Sequence, residues 1–107
     1  MDDTKYEAAF ELIVCAGDAR SSALMAIEAA REFDFEQAQH YMDEAKASLQ
    51  KAHRAQTDML QQEAAGTPVE LNIVLVHAQD HLTMAFMAKD NAEEFIHLYK
   101  LLYEMKK

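Results

Sequence analysis

Residues 34–59 read DFEQAQHYMDEAKASLQKAHRAQTDM, and within them Phe35, Ala38, Met42, Ala45, Leu49, Ala52, Gln56 and Met59 recur in an unbroken alternation of three and four residues. That period traces one stripe of an α-helix and no face of a β-strand, whose side chains repeat every two residues. It is the heptad-like seam of a bundle helix. Asp34 stands where an N-cap belongs, and Gln37, at the third helical position, completes a capping box. The helix is expected to end at Ala64 or Ala65, with Gly66 as its C-terminal stop.

The sequence on either side is helix-forming too. Two glycines and one proline are all that interrupt long runs of Ala, Leu, Met, Glu, Gln and Lys. A first helix is predicted from about Thr4 to about Arg31, on the spacing of Tyr6, Phe10, Ile13, Val14, Gly17, Leu24 and Ile27. A glycine inside a helix costs about 1 kcal/mol relative to alanine, so Gly17 implies close packing or a bend. Phe33 to Glu36 reads as the turn before the second helix. Thr67-Pro68 offers an N-cap followed by proline at the first helical position, which predicts a third helix from about Val69 to about Glu104. The fold class is therefore all-α, an antiparallel three-helix bundle. A chain of 107 residues, half of them hydrophobic, makes one domain that can bury a core without disulfides or a structural metal.

The third helix keeps to no single stripe. Ile73 to Val76 and Met84 to Ala88 are continuous apolar runs, with Phe95, Ile96, Leu98, Leu101 and Leu102 beyond them. A helix apolar nearly all round must be buried on several sides, which three helices alone cannot do. The expectation is an oligomer in which helix 3 packs on copies of itself along a seam of Ile73, Val76, Asp80, Met87, Asn91, Glu94 and Leu98.

Ten basic side chains against nineteen acidic ones give a net charge of -9. That balance repels phosphate backbones and anionic lipid heads, so nucleic acid is not expected as a partner, nor is the membrane surface, and a basic protein is favoured. Cys15, in the apolar run Leu12-Ile13-Val14, reads as a small core residue in a reducing compartment. Met1-Asp2-Asp3-Thr4-Lys5 lacks the pattern of a secretory leader, and no apolar run is long enough for direct membrane insertion, which makes the cytoplasm the default.

Inside the most apolar region lies His77-Ala78-Gln79-Asp80-His81. Two imidazoles and a carboxylate within about one helical turn need a reason, because a carboxylate there is costly to bury unless paired, protonated or metal-bound. Histidines at i and i+4 share a helix face, as in zinc hydrolases of the HExxH type, but Ala78 occupies the place of the general base. Satisfied structural histidines are the bland alternative. Phosphoryl transfer through a phosphohistidine fits better, since a neutral imidazole is already nucleophilic and needs no base. His81, one turn on, then donates to the added oxygens, and Gln79 does so from another subunit.

The segment Glu70 to Leu82, followed by Ala88-Lys89-Asp90, resembles the enzyme IIA component of the bacterial lactose/cellobiose (diacetylchitobiose) phosphotransferase system. So do Ala16-Gly17-Asp18-Ala19-Arg20-Ser21, Ala52-His53 and Gln56-Thr57. The resemblance implies a cytoplasmic homotrimer that receives phosphate from the phosphocarrier HPr and passes it to a sugar-specific IIB component. The family's phosphorylated histidine maps onto His77, and its metal-binding aspartate at the trimer centre onto Asp80. Lactose, cellobiose and chitobiose stay equally open as the sugar. Family members often read His-Leu-Met-Thr after the aspartate, whereas here Thr83 and Met84 are exchanged.

Three carboxylates of Asp80 on a threefold axis would repel one another, and a hard divalent cation such as Mg²⁺, one per trimer and completed by water, would neutralise them. Shared protons are the alternative. Two rivals to the carrier are a non-catalytic trimeric helical interaction module with a structural metal centre, and a histidine phosphotransfer domain of two-component signalling. His40, His53 and His97 are expected at the surface, and Met25 and Met84 at an adaptable apolar rim.

Overall fold

The computed structural model describes residues 4–107, so Met1, Asp2 and Asp3, part of the stretch that showed no leader pattern, lie outside it. Three helices account for most of the chain: α1 from Thr4–Arg31, α2 from Phe35–Ala64 and α3 from Ile73–Lys106. No strand occurs among the described residues. The helices run up, down and up, giving a rod of 60 × 26 × 18 Å.

Both connections start with the same hydrogen-bond pattern. After α1, Asp34 N donates to Ala29 O and Phe33 N to Ala30 O; after α2, Thr67 N donates to Gln62 O and Gly66 N to Glu63 O. These crossed bonds need a left-handed residue just past the helix, which Gly66 supplies at φ 94°. At the first turn that residue is Phe33, at φ 63°, where a side chain costs about 1–2 kcal/mol. Its ring packs on Phe35 and Tyr103, with centroids 6.2 and 5.2 Å away, and this packing opposes the strain. Asp34 caps α2 by accepting from Gln37 N at 3.1 Å. Because the Asp34 N–H is already committed to Ala29, the capping box is only half formed.

The start of α3 differs from the expectation. Thr67 and Pro68 do not cap it; residues 67–72 run as a mostly exposed segment outside any helix, with Val69 half-buried against the core, and Asn72 is the N-cap, its side chain accepting from Leu75 N at 2.9 Å. Two interactions explain the shift. Val69 N is taken by the Glu63 carboxylate at the end of α2, which holds the chain away from a helical path. Asparagine is also the stronger cap of the two.

The core is thin and built mostly of alanine. Near one end Ala9, Leu12, Ala16 and Ala19 of α1 meet Leu49 and Ala52 of α2 and Leu75, Ala78, Leu82 and Ala85 of α3. Toward the other end Ala23, Ala26 and Ala30 meet Ala38 and Met42, with Ala92 and Ile96. The expected α2 stripe is the buried one from Ala38 to Ala52. The expected α1 stripe is not: Phe10, Val14 and Leu24 are exposed, and small residues take the core side because small side chains let helices approach closely. Gly17 is exposed as well. A methyl group there would meet nothing within 4 Å, so neither close packing within the subunit nor a break in α1 accounts for it. Cys15 is buried, as expected of a core residue, and burial pushes its thiol above the ordinary range.

Candidate functional site

His77 and His81 sit in the second and third turns of α3, soon after the Asn72 cap. Four residues apart, their rings meet edge to face, with centroids 4.4 Å apart and Nε2 to Nε2 at 2.9 Å. His77 is exposed and His81 half-buried. At that separation one nitrogen donates and the other accepts, so one of the two Nε2 atoms is an acceptor whose lone pair takes the other's N–H. Two face-to-face N–H groups would clash electrostatically. The geometry therefore sets an accepting ring nitrogen and an N–H donor side by side on this face of α3.

Helical rotation sorts the remaining residues. At 100° per residue, Asp80 lies about 160° from both Ala78 and Leu82, so it points directly away from the core. Its carboxylate is exposed. His77 lies about 60° to one side of Asp80 and Gln79 about 100° to the other, so Gln79 cannot reach the His77 of its own helix. It turns towards α2 instead, where the Gln56 amide donates to its side-chain oxygen. No spacing in the sequence signals that pairing. Thr83 donates to Gln79 O at 3.1 Å, while Met84 is exposed, so the exchanged pair leaves the hydroxyl bound to its own helix and puts a thioether beside His81.

Beyond His81 the surface dips into a groove between α1 and α3. It has a volume of about 310 Å³ and is walled by Gly17, Arg20, Ser21 and Leu24 on one side and by His81 and Met84 on the other. In the sequence Arg20 and Ser21 stand out only within the family motif, and Gly17 otherwise only as a glycine inside the first helix. Nothing in the linear sequence places them across from His81.

The face around Asp80 is apolar and open. Ile73, Val76, Met84, Met87, Leu98, Leu101 and Met105 are all exposed there, with Asn91 and Glu94 the polar members of the stripe. Among the described residues no three His, Cys, Asp or Glu side chains gather to hold a metal ion within the subunit. Asp80 contributes one hard carboxylate ligand, and no metal-holding group of side chains within the subunit joins it among the described residues. His40, His53 and His97 are exposed and remote from the pair in sequence. No described helix is long and apolar enough to cross a membrane.

A profile of the family described as "PTS system, Lactose/Cellobiose specific IIA subunit" matches residues 7–100. The chain is 41% identical over 106 residues to the lichenan-specific phosphotransferase enzyme IIA component of Bacillus subtilis, covering 99% of this chain and 96% of that relative. Its fold superimposes on the PTS cellobiose-specific enzyme IIA of Bacillus anthracis with a TM-score of 0.93 at 40% identity, over 97% of this chain and 95% of that one. It is also similar to a chain in the solution structures of the IIA(Chitobiose)–HPr complex of the N,N'-diacetylchitobiose branch of the Escherichia coli phosphotransferase system. There the TM-score is 0.80 at 33% identity, over 96% of this chain and 99% of that one.

Proposed function

The chain belongs to the lactose/cellobiose-specific IIA family of the sugar phosphotransferase system, a phosphotransferase component that works through a phosphohistidine, and on that premise we propose that His77 is the carrier. Phosphate reaches it from HPr and leaves it for a sugar-specific IIB component. The observation that carries the assignment to His77 is the 2.9 Å contact between the Nε2 atoms of an exposed and a half-buried imidazole. The lone pair on His77 Nε2 attacks phosphorus, the bond from phosphorus to the HPr imidazole breaks, and its electron pair returns to that ring. Delivery to IIB runs the same way with His77 as leaving group. Little bond chemistry is left to the protein beyond alignment and charge stabilisation.

His81 is the first stabilising group. Its N–H, engaged with His77 at rest, shifts to a phosphoryl oxygen when the nitrogen it faced becomes phosphorylated. Losing a charge-assisted hydrogen bond of this kind costs about 1.5–3 kcal/mol, so His81→Ala slows phosphorylation by about tenfold to a hundredfold. Wild-type kinetics in that variant would remove His81 from the mechanism.

The working assembly is a homotrimer built on the open face of α3. What supports it is the exposed stripe from Ile73 to Met105 opposite the subunit core. In a threefold arrangement each α3 turns one flank to the next subunit and the other flank to the previous one. Since His77 and Gln79 lie on opposite flanks of Asp80, the Gln79 of one subunit faces the His77 of another, and its amide N–H, not used by Gln56, is free for a phosphoryl oxygen. Three Asp80 carboxylates on the axis form a donor set suited to Mg²⁺, which would neutralise their charge and brace the trimer. The trimer works in the cytoplasm, where a charge of -9 favours a basic docking face on HPr.

Incubation with phosphoenolpyruvate, enzyme I and HPr, followed by intact-mass analysis, tests the assignment. One acid-labile phosphoryl group per chain, absent from His77→Ala, is expected. A folded wild-type protein that stays unmodified by an active relay would leave the metal-centred interaction module as the better account.

A further inference from the structure

Arg20 has no ion-pair or hydrogen-bond partner among the described residues, in a chain with nineteen acidic side chains to choose from. It lines the α1/α3 groove opposite His81. The two helices run in the same direction, and helical side chains lean towards their own N-terminus, so a long side chain at 20 leans towards the His77 end of the groove. One turn earlier on the same wall is Gly17, exposed and with open space where its Cβ would be. The helix carries a residue that weakens it there without any contact in the subunit that requires it. A bare wall, an unpaired cation and an imidazole N–H thus share one opening.

We propose that Arg20 is a phosphoryl-binding residue, its guanidinium taking oxygens of the group carried on His77 from the α1 side of the groove. The inference rests on His77 being the carrier. A protein of net charge -9 raises the energy of any dianion on its surface, and a local cation offsets that field where it matters. Guanidinium is the suitable cation, because its planar fork meets two oxygens at once and stays charged at any working pH. His81 then holds the phosphoryl group from α3 and Arg20 from α1.

The test compares wild type, Arg20→Ala and Arg20→Lys after phosphorylation by phosphoenolpyruvate, enzyme I and HPr. Three quantities are measured: the equilibrium of phosphoryl exchange with HPr, the KM for HPr, and the ³¹P resonance of the isolated phosphoprotein. Arg20→Ala is expected to shift the equilibrium about tenfold towards phospho-HPr, the lower end for a charge-assisted hydrogen bond because the groove is open to water. Its ³¹P resonance moves as well, and Arg20→Lys recovers most of the equilibrium. A purely structural role would change both phosphorylation states alike and leave the equilibrium where it was. If wild type is phosphorylated and Arg20→Ala matches it in equilibrium and resonance, the inference is wrong. It is equally wrong if Arg20→Ala only raises the KM for HPr, which would make Arg20 a docking residue. A wild-type protein that accepts no phosphoryl group overturns the carrier assignment itself, and this inference with it.

Discussion

Replacing Met87 with lysine separates the stability of the subunit from that of its assembly. Met87 is one heptad beyond Asp80 and 63% exposed in the isolated subunit, so it contributes little to its own core. Full burial of such a side chain is worth roughly 1.5–3 kcal/mol, and the exposed part corresponds to about 1–2 kcal/mol per subunit, or about 3–6 kcal/mol across three. Lysine forfeits this and brings three ammonium groups towards one axis, at several kcal/mol each unless they reach solvent. The apolar term alone weakens association at least about a hundredfold. The assay is sedimentation velocity over two decades of concentration, with circular dichroism alongside. The expected result is dissociation to monomers of unchanged helicity at low concentration. If Met87→Lys sediments as wild type throughout, the open face of α3 is not the interface.

Other expectations follow from other parts of the molecule. In the proposed trimer Asp80→Leu removes the repulsion at the axis, so the variant assembly is as tight as wild type or tighter and is insensitive to EDTA; easier dissociation than wild type in sedimentation would contradict the axial placement. Asn72→Ala removes the cap of α3 and lowers stability to urea by about 1 kcal/mol, whereas Thr67→Ala changes it by less than about 0.5 kcal/mol. Burial holds the Cys15 thiol above its ordinary value, so the folded state keeps a proton that the unfolded chain releases above about pH 9. Stability falls as pH rises through that window, and Cys15→Ala flattens the decline in urea titrations at a series of alkaline pH values.

Chain reversals and the α2 seam were legible because their signals are local. Asp34 and Gly66 act on backbone groups within a few residues, and the three-four alternation of α2 coincides with its buried side. The start of α3 was misread because Thr67-Pro68 has the right local chemistry, while the interaction that wins, Glu63 with Val69 N, depends on where α2 ends. In α1 the large side chains carry the three-four spacing but the alanines form the core, since hydrophobicity does not say which of two apolar faces turns inward. The histidine pair was visible in the sequence because four-residue spacing fixes contact along one helix. Gln56 with Gln79, and Arg20 opposite His81, join different helices, and no spacing encodes that.

A core made mostly of alanine has a further consequence. Each alanine buries little area, so a lone subunit gains little from folding, while its larger apolar side chains lie exposed on the outside of α3, where the proposed trimer would bury them. Folding and association then draw on the same reserve, and the melting temperature becomes a function of protein concentration. If the trimer forms as proposed, a newly made subunit without companions is more exposed to proteases than the assembly, and the supply of carrier rises more steeply than its rate of synthesis.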